Sequence, residues 1–124
     1  MNSNPTPPEI LEELMLHPLA NVCWRWLLLR DHECGGRLTW EHALTHGGRR
    51  VNEAWAIIRI CEKAHSLGAY QDCGILDKNV NRWIAFSRIE DWEAVEERYP
   101  RTSWRRDFRW LVGLYGRAAW PRTA

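Results

Sequence analysis

The stretch RLTWEHALTHGGRRVNEAWAIIRICEKAH, Arg37 to His65, decides how this chain is read. Its first part alternates, with Leu38 and Trp40 on one side and Thr39 and Glu41 on the other, which predicts a strand over Arg37–His42. His46-Gly47-Gly48 opens a loop that carries Arg49 and Arg50. Ala54–Ile60 is rich in bulky and β-branched residues (Trp55, Ile57, Ile58, Ile60), which favours a second short strand. Cys61–Leu67 then reads as the start of a helix that ends at Gly68. The order strand, loop, strand, helix is a small α+β centre, and everything around it reads as helix.

Working outward, Met1–Pro8 holds three prolines with Asn and Ser and reads as a disordered arm. A short helix follows over Glu9–Leu16, with Pro8 at its first turn. Pro18 interrupts it, and Leu19–Leu29 presents an apolar face (Leu19, Val22, Cys23, Trp26, Leu27) that predicts a second helix. Cys34-Gly35-Gly36 is a turn. On the other side, Leu76–Ile89 places Val80, Trp83, Ile84 and Phe86 near one helical face, and Lys78, Asn81 and Arg82 are read as its helix start, capping it or contacting DNA. Asp91 is a natural N-cap for a helix over Trp92–Tyr99, which Pro100 ends, and Ser103 can cap a last helix reaching Tyr115 and stopped by Gly116. IRIC and WIAF are read as core. The expectation is therefore a mostly helical α+β fold, with the arm at 1–8, one domain over 9–124, a core motif over about 32–88 and a helical extension over 89–124.

Composition sets bounds on function. The chain has 124 residues, a formal net charge of +1 at pH 7 and nine tryptophans. Near-neutral charge gives no global pull on nucleic acid, and the tryptophans are chiefly packing residues. The charge is nevertheless uneven: Arg101, Arg105, Arg106, Arg109, Arg117 and Arg122 crowd the end with Asp107 as the one acid, while Glu9, Glu12 and Glu13 make the start acidic. Such a basic end holds phosphates locally, or is simply a solvated helix face. No signal-peptide pattern and no apolar run long enough for a bilayer is found, so a reducing compartment is expected, with Cys23, Cys34, Cys61 and Cys73 as free thiols or metal ligands.

The chemistry lies in the central stretch. Glu41 and His42 stand together at a strand end, and His65 lies on the following helix. A carboxylate and an imidazole from two elements suit one divalent cation, and a second imidazole beside them, titrating near neutrality, suits removal of a proton from water. Arg49 and Arg50 on a Gly-rich loop suit phosphate oxygens. Together these are the parts of metal-assisted phosphodiester hydrolysis, provided that they converge. His46 is read as a loop residue, and His17 and His32 as structural.

Glu41-His42, then Asn52, then Cys61-Glu-Lys-Ala-His65 resembles the His-Asn-His (HNH, or ββα-metal) endonuclease motif, and His32–Arg88 as a whole is similar to small HNH-type proteins of phages and prophages. The resemblance implies a ββα-metal core of two antiparallel strands and a helix around one cation. It implies that His42 is the general base, that Asn52 braces the loop and holds the His42 ring, and that Glu41 and His65 hold a divalent ion, Mg or Mn, or else Ni or Zn. It also implies DNA as substrate, with Arg49, Arg50, Arg105 and Arg106 on its backbone. A phage protein or a second copy is the further partner, and the bacterial host cytoplasm the setting.

The sequence departs from that family where many members carry a second, structural zinc between two C-x-x-C pairs. Here Arg37 and Ala64 stand at the matching positions, so no such four-ligand zinc is expected. Cys34 and Cys61, joined by Cys23, His32 or Cys73, are what remains for an irregular site, and thiols packed in the core are the alternative. The leading expectation is thus a small metal-dependent DNA endonuclease. The alternative is a catalytically inactive HNH-scaffold module that binds DNA or protein.

Overall fold

The computed structural model describes residues 5–30, 34–62 and 74–121. The elements run α1 (Pro8–Met15), α2 (Trp24–Leu28), β1 (Leu38–His42), β2 (Thr45–His46), β3 (Arg49–Arg50), a 3₁₀ turn (Ala54–Ala56), β4 (Ile57–Cys61), α3 (Gly74–Phe86), α4 (Trp92–Arg98) and α5 (Trp104–Tyr115). It is an α+β fold in which helices surround a small antiparallel sheet, as the sequence led us to expect at that level.

β1 and β4 pair antiparallel, Leu38 opposite Cys61 and His42 opposite Ile57. The alternation in β1 and the β-branched run in β4 gave both strands. The segment expected to be one strand over Ala54–Ile60 instead begins with the 3₁₀ turn, whose carbonyls are taken by Arg88. Its Nη1 donates to Ala54 O at 2.7 Å and Ile57 O at 2.8 Å. Burial lowers the Arg88 pKa to about 10, and its guanidinium lies 4.6 Å from the centre of the Trp24 ring. The Gly47-Gly48 loop is tighter than the sequence suggested. Both glycines have positive φ (61° and 78°), which closes a two-residue hairpin between β2 and β3.

α3 packs on β4, α2 and α5, and forms the middle of the core. Trp83, Ile84, Ala85 and Phe86 are all buried, as are Ile57, Ile58, Ile60 and Cys61 of β4, so the WIAF and IRIC segments are core as expected. Trp24, fully buried, meets Trp40 and Trp120 edge-on, with ring centres at 5.9 and 5.4 Å. Such contacts join elements far apart in sequence, which is the packing role expected for the tryptophans. Arg82 Nη2 reaches Asp107 Oδ2 at 2.8 Å and links α3 to α5. Burial pushes the Asp107 carboxyl up, but hydrogen bonds from Ser103 and Arg82 outweigh it and hold the group below its ordinary range.

Two boundaries differ from expectation. The helix expected over Leu19–Leu29 is confined to Trp24–Leu28. Ahead of it, His17 Nδ1 accepts from Leu19 N–H at 3.0 Å and Trp24 Nε1 donates to Leu19 O at 2.9 Å, so side chains take backbone groups that a helix would use. α3 begins at Gly74, so Lys78, Asn81 and Arg82 lie inside the helix and not at its cap. The helix expected to begin at Cys61 falls largely outside the described residues. Asp91 caps α4 as expected, accepting from Ala94 N–H at 3.1 Å. Gly116, with φ 81°, stands at the end of α5. Among the described residues no helix is long and apolar enough to cross a membrane.

Gly36 is held by its surroundings. It has φ +77°, and an added Cβ would lie 2.8 Å from the Cβ of Glu62. The Glu62 carboxylate accepts from Arg37 N–H at 3.1 Å and from Arg37 Nε at 3.2 Å, which fixes the entry to β1. Gly36→Ala is expected to destabilise the protein by roughly 1–2 kcal/mol through the left-handed backbone alone, with displacement of Glu62 added, measured by urea unfolding.

Candidate functional site

β1 ends at His42, and the chain then turns away through Ala43 and Leu44 before β2. That exit places the half-buried His42 ring opposite the loop that carries Asn52. His42 Nε2 lies 2.7 Å from Asn52 Oδ1. Asn52 Nδ2 donates to the carbonyl of Pro5 at 2.9 Å. Since a carbonyl only accepts, that bond fixes which way the amide faces. Oδ1 must then accept from His42, so Nε2 carries the hydrogen and the basic lone pair of the neutral ring belongs to Nδ1. The Thr6 hydroxyl oxygen lies 3.1 Å from the same Nε2. The His42–Asn52 pairing expected from the sequence is therefore present, with Pro5 and Thr6 as additional neighbours.

His42 borders a cleft of about 390 Å³ shared with Glu41, Leu44, Lys78, Asn81, Arg82 and Trp104. Glu41 is buried, 4% exposed, on the face of β1 covered by α3. Its Oε2 accepts a short hydrogen bond from Asn81 Nδ2, and Asn81 Oδ1 in turn accepts from Arg25 Nη2 at 2.9 Å. A carboxylate, an amide and a guanidinium from β1, α3 and α2 thus form one buried chain. From the sequence, Asn81 reads as a helix-capping or DNA-contacting residue, and nothing there signals Arg25. A signal for the cleft was available in the spacing of Lys78, Asn81 and Arg82, which puts all three on one helix face.

The other expected residues fall elsewhere. Arg49 is exposed and Arg50 half-buried on the β2–β3 hairpin, next to Thr45 at the cleft rim. Arg105 reaches Glu96 at 2.8 Å, its guanidinium 5.7 Å from the Trp92 ring centre, and lines a different cleft with Asp91 and Glu93. Arg106 is exposed on α5. His46 packs against Tyr99 and Trp104 at 5.3 and 6.0 Å between ring centres. At His17, burial, with Arg88 second, lowers the pKa. His65, expected as a metal ligand, and His32 and Cys73 lie outside the described residues.

A second cluster sits at the other end of the sheet. Cys23 precedes α2, Cys34 precedes β1 and Cys61 ends β4, and their three Sγ atoms all lie within 4.8 Å of one another. Together they could hold a metal ion. Among the described residues no other three His, Cys, Asp or Glu side chains converge in this way. Cys23 and Cys61 are buried. Cys34 presents much of its surface to solvent while its sulfur meets the other two, and desolvation, with the neighbouring Cys23 and Cys61, raises its pKa to about 12. No family model, curated protein or solved structure matches this chain.

Proposed function

We propose that this protein is a metal-dependent endonuclease that hydrolyses DNA phosphodiesters, with His42 as general base. The observation that carries the reading is the His42 ring, held through Nε2 by Asn52 at the mouth of a cleft lined by Glu41, Lys78 and Arg82. Holding Nε2 as a donor to Asn52 selects the tautomer in which Nδ1 is the basic nitrogen, the one that would receive the proton of an attacking water. Lys78 supplies positive charge for the substrate's phosphate oxygens, Arg82 adds its edge while paired with Asp107, and Arg49 and Arg50 extend the basic face along the rim. Glu41 is a hard oxygen ligand in the same cleft and fits Mg or Mn; with His65 it would hold the cation, which when bound offsets the charge that builds on the phosphate. Near-neutral charge makes backbone contact local to this face, and a partner protein is the natural source of sequence choice.

The engagement of Glu41 by Asn81 favours a second reading, a scaffold of the same shape that binds without turnover. Supercoiled plasmid separates the two. Incubation with Mg²⁺, Mn²⁺, Ni²⁺ or Zn²⁺ in turn is expected to give nicked product that EDTA suppresses. Binding without cleavage under every metal would overturn the enzyme reading in favour of the scaffold.

A further inference from the structure

We propose that Cys23, Cys34 and Cys61 form a binding site for one thiophilic divalent cation, zinc first, that clamps the fold at the end of the sheet remote from His42. Three sulfurs drawn from three segments lie within 4.8 Å of one another. Zinc–sulfur bonds of about 2.3 Å at tetrahedral angles need sulfurs about 3.8 Å apart, so closing on an ion takes a movement of at most about an ångström. A disulfide would use two of the three and strand the third, whereas a cation uses all of them.

A second observation points the same way. The backbone N–H of Cys61 is directed at Cys23 Sγ, 3.4 Å away. Such an N–H···S contact fixes the orientation of the sulfur, as an outer-shell partner does for a metal ligand. Two of the ligands are buried, and the third is on the side open to solvent, from which a water or another donor can complete the fourth corner. Soft sulfur donors select zinc or cobalt over magnesium, which separates this site from the oxygen ligand at Glu41. Position separates them too. Cys61 pairs with Leu38 at the start of β1, and His42 stands at its end, about 14 Å along the strand. The role is structural: the ion joins the entry of α2, the turn before β1 and the end of β4, which sit together through no local sequence signal.

The test is titration of the reduced, metal-free full chain with Co²⁺ alone, followed by absorption. Binding of one equivalent is expected to give a sulfur-to-cobalt charge-transfer band in the near ultraviolet and the visible bands of a tetrahedral ion. Zn²⁺ should then displace it, and excess Mg²⁺ should not. Cys34→Ser is the variant of choice, because an exposed residue can be changed without emptying the core, and circular dichroism checks that it folds. Its affinity should fall by more than the roughly 10–100-fold that loss of an outer-shell partner costs. Absence of the charge-transfer band, or a Cys34→Ser titration that matches wild type, would overturn the site. The outcome is independent of DNA cleavage.

Discussion

Replacing His42 by alanine should lower metal-dependent plasmid cleavage by about 10²–10⁴-fold, the usual contribution of a positioned general base. The ring is only half-buried, so its loss should cost less stability than a change in the buried core. Asn52→Asp is the informative companion. It keeps an acceptor towards His42 Nε2 but loses the amide N–H that reaches the Pro5 carbonyl. Cleavage should fall less than in His42→Ala, and a negative charge beside the ring should move the acidic limb of the pH profile upward in pKa. Cleavage in His42→Ala at the wild-type rate, with the same metals, would remove the histidine from the reaction.

Asn81→Ala should produce the largest loss of stability among changes to the cleft, about 2–3 kcal/mol by urea unfolding. The residue is 2% exposed and gives one group to each of two buried charges, its amide N–H to Glu41 and its carbonyl to Arg25. Removing the bridge leaves both ions buried with a poorer set of partners, which costs more than the lost bonds themselves. Asn81→Asp tests whether the bridge or mere packing matters. It is almost the same size, but it presents an acceptor where Glu41 needs a donor. Both variants should be destabilised; an aspartate that unfolds like wild type would show that the amide donor is dispensable.

The parts of this structure that were legible in the sequence are those set by neighbours in the chain. β1 and β4 followed from alternation and β-branched residues, α4 from Asp91, and the end of α5 from Gly116; Ser103 stands ahead of α5 but its hydroxyl donates to Asp107 and caps no backbone N–H. The pairing of His42 with Asn52 was visible as well, because the motif that it resembles carries both. What could not be read depends on contacts across the fold. Asn81 meets Glu41 and Arg25 from positions 40 and 56 residues away, and nothing at either end announces it. The shortened α2 has the same origin, since Trp24 and His17 take the backbone groups of Leu19 only when the chain is folded. The thiol cluster was half seen. Spacing ruled out paired C-x-x-C ligands, but the convergence of Cys23 with Cys34 and Cys61 depends on how α2 meets the sheet.

The contact of Pro5 and Thr6 with the Asn52–His42 pair carries a practical consequence for anyone preparing the protein. A polypeptide joined at the N-terminus reaches Pro5 through only four residues, 1–4. An affinity tag placed there is expected to disturb the contact of Pro5 with Asn52, and inactivity of such a fusion would say little about the proposed activity. A tag after the last helix avoids the problem. The same proximity makes the leading residues a useful handle: a fluorophore attached at Thr6 should sense occupancy of the cleft, and so test the proposed nucleic-acid binding without any change to His42 or Asn52.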